Sequence, residues 1–333
     1  MVYRTIFIKD NIAICELFQG KKVFIFAASL TNFMIDIKTP KDHIILVPMD
    51  FSDSSINAVY YAVEMANLFD SEITLLHVIS KSTLSSLFIN DSEVALLRDK
   101  VRKKLEDIKT EILEKWPKVS VNTLVSEGKP FKVINKIAMD SKCDTIVMGT
   151  NGANGIEQFT GSTTSRVIKS STIPVIAVKE KKTEPRFDKI VLPIDLTKTS
   201  KQKIDWAVKM GIKYNSTIHI LMELEKDELI EKKVKANLHQ AESIFEKNGV
   251  KYESHLLDDR SYPDHLGKDT IKYAEEINAD LIMIMTKSET GKLADLFVGS
   301  YAEQIVNSSQ KTPVMCINPK PTGAKTTGGS GFY

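Results

Sequence analysis

Cysteine is scarce in this chain of 333 residues: there are three, Cys15, Cys143 and Cys316, at remote spacings. An odd count with no C-x-x-C pair draws neither a disulfide framework nor a zinc knuckle, so a reducing, cytoplasmic setting is the expectation. Charge of one sign is also missing. Lys and Arg number 45 against 43 Asp and Glu, a net of +2, and no field marks a binder of nucleic acid. Proline and glycine are few, 11 and 15, which excludes collagen-like and low-complexity chains. The longest apolar run, Val23 to Leu30, falls far short of the ~20 residues of a membrane span. Its length suits the apolar region of a signal peptide, but it begins late and lacks a small-residue cleavage site. Neither membrane nor nucleic acid is expected as a partner.

What is present is a repeat. Ile45-Leu46-Val47-Pro48-Met49-Asp50 returns as Ile190-Val191-Leu192-Pro193-Ile194-Asp195, an offset of 145. The later landmarks return in the same order: Asp144-Thr145-Ile146-Val147-Met148 as Asp280-Leu281-Ile282-Met283-Ile284, Gly161-Ser162 as Gly299-Ser300, and Pro174-Val175 as Pro313-Val314. A tandem duplication fixes the architecture before any residue is assigned a role.

Within the first copy, Ile44 to Val47, Ile73 to Val78, Thr145 to Met148 and Val175 to Val178 are short apolar runs, the mark of strands buried on both faces. Helical stripes lie between them. Val94, Leu97, Val101, Leu105, Ile108 and Ile112 step by three or four residues, and so do Val234, Leu238, Ala241 and Phe245 in the second copy, where Gly249 is placed to end the helix. Strands alternating with helices predict two tandem doubly wound α/β domains, each with a parallel sheet. The last strands, Val175 to Val178 and Val314 to Ile317, are edges whose unpaired N–H and C=O groups need cover. The expected layout is an extension over 1–40, a first domain over 41–180, a charged linker around Pro185, a second domain over 187–318 and a polar tail over 319–333. For the extension two readings stand level: extra strands over Thr5 to Ile8 and Val23 to Phe26, or a dispensable segment with Met34 as the natural start.

In such sheets ligands bind beyond the carboxyl ends of the strands, where the strand order reverses. There the first copy carries Gly149-Thr150-Asn151-Gly152-Ala153-Asn154-Gly155 and then Gly161-Ser162-Thr163-Thr164-Ser165 at the head of a helix. Glycines let backbone approach an anion, and a helix N-terminus offers unpaired N–H groups to phosphate. A loop followed by an ordinary hydroxyl cap reads the same residues without a ligand.

Taken together, VPMDFSDSS at 47–55, LLHV at 75–78, SEGKP at 126–130 and DTIVMGTNG with GSTTSRV and IPVIAV up to Val178 resemble the universal stress protein family. A weaker second copy covers 187–318. The resemblance implies an adenine nucleotide lying across the strand ends: ATP, with or without Mg. It assigns Asp50 to the ribose, Val78 to a backbone contact with adenine, and Gly149, Gly152, Gly161, Ser162 and Thr163 to the phosphates, with Pro48 also in the nucleotide site. It further implies a five-stranded parallel core in each half and a pseudo-dimer joined through the last strands, Val175 to Val178 and Val314 to Ile317. The family motif places nine residues between its second and third glycines, whereas Gly152 and Gly161 enclose eight. In the second copy Met285 and Ser288 stand at the first two glycine positions, which predicts one nucleotide per chain, bound in the first half.

The resulting expectation is an ATP-binding protein of stress response or signalling, with a ligand-free interaction scaffold and a slow nucleotide hydrolase as the alternatives. No catalytic residue is assigned, since neither GxxxxGK[ST] nor GxGxxG occurs. His77, in an apolar strand, reads as a strand-end residue. His255, Asp258, Asp259, Asp264 and His265 match no known ligand spacing and read as a solvated polar loop, so no metal is assigned.

Overall fold

The structure, a computed structural model, describes residues 3–8, 12–19, 22–26, 43–80, 91–150, 163–180, 186–194, 196, 200–224, 227–257, 266–286 and 301–319. It divides into two units, residues 1–42 and 43–333. The smaller unit is an antiparallel sheet in the order β1 (Tyr3–Ile8), β2 (Ile12–Gln19), β3 (Lys22–Phe26). The sequence suggests its outer strands. The central one mixes Cys15 and Glu16 into an apolar stretch without alternation and so carries no period-2 signal.

The larger unit contains both copies of the repeat. The first runs β4 (Ile44–Pro48), α1 (Asp53–Phe69), β5 (Glu72–Ser80), α2 (Asp91–Lys115), β6 (Ser120–Gly128), α3 (Pro130–Asp140), β7 (Thr145–Gly149), α4 (Thr163–Ser170) and β8 (Val175–Val178). The second runs β9 (Lys189–Pro193), α5 (Ser200–Tyr214), β10 (Thr217–Glu223), α6 (Glu228–Lys247), β11 (Lys251–Leu257), α7 (Leu266–Glu276), β12 (Leu281–Met285), α8 (Tyr301–Ser308) and β13 (Val314–Ile317). All ten strands form one sheet in the order β11-β10-β9-β12-β13-β8-β7-β4-β5-β6. Pairing is parallel throughout each half and antiparallel only between β13 and β8, where Val314 faces Ala177 and Cys316 faces Val175. The expected pseudo-dimer is therefore a continuous sheet, with each edge strand covering the other.

Both faces of this sheet are buried, which is why its strands read as unbroken apolar runs. Ile45 and Val47 point into a layer shared with α1, α2, α5 and α6, while Leu46 points into one shared with α3, α4, α7 and α8. Each layer crosses the junction. On one face Phe69 of α1 meets Tyr214 of α5 at 4.1 Å between ring centroids, and Phe187 stacks on Tyr214 at 4.7 Å. On the other, the Asn318 amide donates to the carbonyls of Ile168 and Ser171, both at 2.6 Å. The amphipathic stripes hold: Val101, Leu105 and Ile112 are buried on α2, and Val234, Leu238, Ala241 and Phe245 on α6. Gly249 follows α6 with φ +65°, the left-handed conformation that a helix end of this kind requires.

The repeated aspartates are structural. Asp144 Oδ2 accepts from the Ile44 amide at 3.1 Å and lies 3.0 Å from His43 Nδ1, and Asp280 Oδ2 accepts from the Lys189 amide at 3.0 Å. Each carboxylate thus ties the start of β7 or β12 to the start of β4 or β9. Among the described residues no helix is long and apolar enough to cross a membrane.

Candidate functional site

β4 ends at Pro48, which has no N–H to continue the ladder, and the amide of Met49 makes the last contact, to the Leu76 carbonyl at 2.7 Å. β5 runs on past that point. Two residues beyond Leu76, strand alternation turns the main chain of Val78 to the same side, past the end of β4. Phe51 then takes φ +65°, a left-handed conformation that costs a non-glycine residue about 1–2 kcal/mol. Its ring stacks on His77 at 4.9 Å with the Lys104 ammonium 4.3 Å from its centroid, and these contacts hold the turn in place.

Ser52 caps α1, its hydroxyl accepting from the Ser55 amide at 3.3 Å. Asp50 braces that cap: Oδ1 accepts from the Ser52 amide at 3.0 Å and the Ser52 hydroxyl at 2.5 Å. Oδ2 makes no hydrogen bond among the described residues, and the side chain is exposed. His77 Nδ1 lies 2.7 Å from the Met49 carbonyl. Burial, the largest influence, holds its imidazole below the ordinary pKa of 6.5. Its role is therefore to fasten β5 to the β4–α1 turn.

β7 closes the other wall. The Thr164 hydroxyl donates to the Gly149 carbonyl at 2.8 Å and so joins the end of β7 to the start of α4. A Cβ at Gly149 would come within 2.5 Å of the Ser54 backbone carbon. This close approach, between the strand and the helix α1 beside it, requires the glycine. That changes one part of the sequence argument, because the missing side chain makes room for α1 and not directly for a phosphate.

Between these walls lies a cleft of about 560 Å³ up to its open mouth, at the strand-order reversal between β4 and β7. Pro48, Asp50, Val78, Gly149 and Thr163 all line it, with Ser55, His77, Pro130 and Thr164. Five of the eight residues singled out in sequence thus surround one space. Gly152, Gly161 and Ser162 lie outside the described residues. His77 and Pro130 are cleft residues for which the sequence argument assigned no ligand contact.

The second half differs at the same place. Met285 pairs with Ile317 as Gly149 pairs with Val178, which confirms the positional match. Its side chain is buried in the layer of α5, the direction in which Gly149 has no room. Lys203 is buried, and its ammonium donates to the Pro193 carbonyl at the end of β9.

Cys143 and Cys316 are not candidate nucleophiles. Both are buried free thiols; burial pushes Cys143 up to about 12 and raises Cys316 as well. His255 lies on β11, away from the cleft, while Asp258, Asp259, Asp264 and His265 lie outside the described residues.

Comparison with known proteins agrees with this architecture. The model of the universal stress protein family matches residues 43–179 and again 186–318. The chain is 34% identical over 171 residues to the universal stress protein MJ0531 of Methanocaldococcus jannaschii, a match spanning 49% of this chain and 99% of that protein. It is 33% identical over 155 residues to MJ0577 of the same organism, across 41% of this chain and 94% of the relative. Among solved structures, a universal stress protein from Archaeoglobus fulgidus superimposes with a TM-score of 0.65 at 21% identity, covering 84% of this chain and 97% of that one. At that identity the likeness concerns the fold.

Proposed function

The chain belongs to the universal stress protein family, and from that premise we propose that the cleft of its first half binds an adenine nucleotide, ATP, as part of a stress or signalling response. The observation that carries the reading is the convergence of Pro48, Asp50, Val78, Gly149 and Thr163 on one cleft at the strand-order reversal. The chemistry of the donors suits such a ligand. Asp50 Oδ2 can accept from ribose hydroxyls, the outward main chain of Val78 can pair with the edge of a purine, and the start of α4 presents N–H groups to anionic oxygens. Binding would couple the β4–α1 turn to the head of α4. The second half, with Met285 in place of Gly149 and Glu223 at the register position of Val78, would not bind, since a carboxylate there adds negative charge beside the ligand.

Calorimetric titration of nucleotide-free protein with ATP tests this directly. The expected stoichiometry is about one per chain, with binding lost or weakened by more than about tenfold in Asp50→Ala and in Gly152→Val, each such factor being about 1.4 kcal/mol. Ser288→Val should bind as the parent does. Absence of heat, together with no nucleotide in mass spectra of gently purified protein, would favour the scaffold reading; release of ADP during the titration would favour hydrolysis.

A further inference from the structure

At the far end of the sheet, β10 and β11 bring three metal-ligating side chains onto one face. His219 stands opposite Glu253 in the parallel register, and His255 follows Glu253 by two residues, so all three project to the same side. His219 Nδ1 lies 3.6 Å from Glu253 Oε2, and His255 Nε2 lies 3.8 Å from the same oxygen. One ligand atom from each residue falls within 4.8 Å of the others. Tetrahedral zinc, with bonds of about 2.0–2.1 Å, separates its ligands by about 3.3 Å, so the two imidazole–carboxylate pairs need to close by only a few tenths of an ångström and the two imidazoles by no more than about 1.5 Å. From α7 the Tyr273 hydroxyl reaches between the imidazoles, 3.0 Å from His219 Nδ1 and 2.5 Å from His255 Nε2.

We propose that His219, Glu253 and His255 form a site for a divalent transition metal of the zinc class, with the Tyr273 hydroxyl bridging the two imidazoles in its absence. Two imidazoles and one carboxylate suit zinc and its neighbours, whereas calcium and magnesium favour oxygen ligands. The residues are not explained by packing. The His219 side chain is 5% exposed, and its Nε2 is buried without a hydrogen-bond partner among the described residues. At such an inward strand position an aliphatic residue would carry no orphaned polar atom.

The duplicated half provides an internal control. Read through the strand registers, Thr74, Asn122 and Leu124 stand where the second half has His219, Glu253 and His255. Ile137 stands where it has Tyr273, since Ala138 and Ala274 accept equivalent bonds at the ends of α3 and α7. The same fold is thus built without any of the four polar groups. Their co-occurrence in one half alone is a feature of the site and not of the architecture.

The test is zinc titration of chelator-treated, full-length protein against a competing chromophoric chelator, with cobalt spectra as a second readout. One tight site per chain is expected, with visible cobalt bands of a tetrahedral ion. His255→Gln should weaken zinc binding by more than about 100-fold, beyond the 10- to 100-fold that outer partners carry. Glu253→Gln, at an exposed side chain, should weaken it by at least about tenfold. Melting of both variants without zinc should match the parent, which separates lost ligation from lost folding. His239→Gln, which removes an exposed imidazole paired with Glu242 alone, should leave affinity unchanged. No tight site in the parent, or equal affinity in His255→Gln, would overturn the proposal.

Discussion

The two halves share their strand order and pairing registers and keep the proline and aspartate at the ends of β4 and β9, yet they differ at several positions around the place where a ligand could sit. Gly149 is matched by Met285, His77 by Met222, Val78 by Glu223 and Ala58 by Lys203. By contrast, the apolar runs and the aspartates at the strand starts are kept in kind. A change of volume at an interior position is felt throughout a close-packed core. Each half nevertheless has a different set of polar groups: the first around the β4–β7 cleft, the second on the face of β10 and β11.

The largest expected effect attacks what the halves share. Met315 lies in the middle of β13, 1% exposed, between β12 and β8. Met315→Pro should cost about 3 kcal/mol or more by removing a ladder hydrogen bond at the junction. Denaturant unfolding should then show two transitions where the parent shows one, and a single transition of unchanged midpoint would mean that the halves are held together by other contacts.

Gly149→Ala tests their difference more finely. With Ser54 backbone 2.5 Å from the new Cβ, α1 must shift, at a cost of about 1–3 kcal/mol for an overpacked contact. Met285→Gly in the second half should also destabilise, by leaving a cavity, and chemical denaturation of the two variants checks both. If Gly149→Ala is neutral, helix packing is not what requires the glycine.

The paired aspartates should behave alike. Asp144→Ala and Asp280→Ala each leave a strand-start amide without its carboxylate, and each should lose about 1.5–3 kcal/mol, the range for hydrogen bonds to charged groups. Strongly unequal losses in denaturation midpoints would show that the duplication has drifted here too.

The smallest effect concerns pH. Burial lowers the His77 pKa from 6.5, with smaller raising influences from the Met49 carbonyl and Asp50 and a lowering one from Lys104. Between the lowered value and 6.5 the unfolded chain binds more protons than the folded one, so stability contributed by neutral His77 is present above 6.5 and lost as pH falls through that window. Met222 carries no such linkage. His77→Met should therefore reduce the slope of melting temperature against pH as pH falls below 6.5, and an unchanged slope would contradict the burial of this ring.

Duplication and strand alternation were legible in the chain, because apolar runs and helical stripes depend on local periodicity and each copy corroborates the other; the pairing of the edge strands came with the family resemblance. The cleft was legible in outline, since Pro48, Asp50 and Gly149 sit in segments whose resemblance is strong. What the sequence could not show was why each residue is there. That Gly149 makes room for Ser54, that Phe51 bears a left-handed turn against His77, and that Asp144 ties two strand starts together are contacts between segments up to 100 residues apart. The grouping of His219 with Glu253, His255 and Tyr273 was equally hidden: only Glu253-Ser254-His255 is local, and its signal, two ligands spaced for one face of a strand, is too short to distinguish from chance. Periodicity reports which face a residue occupies. Only the packing of β10, β11 and α7 decides which other side chains share that face, because register and helix placement are set by the whole sheet.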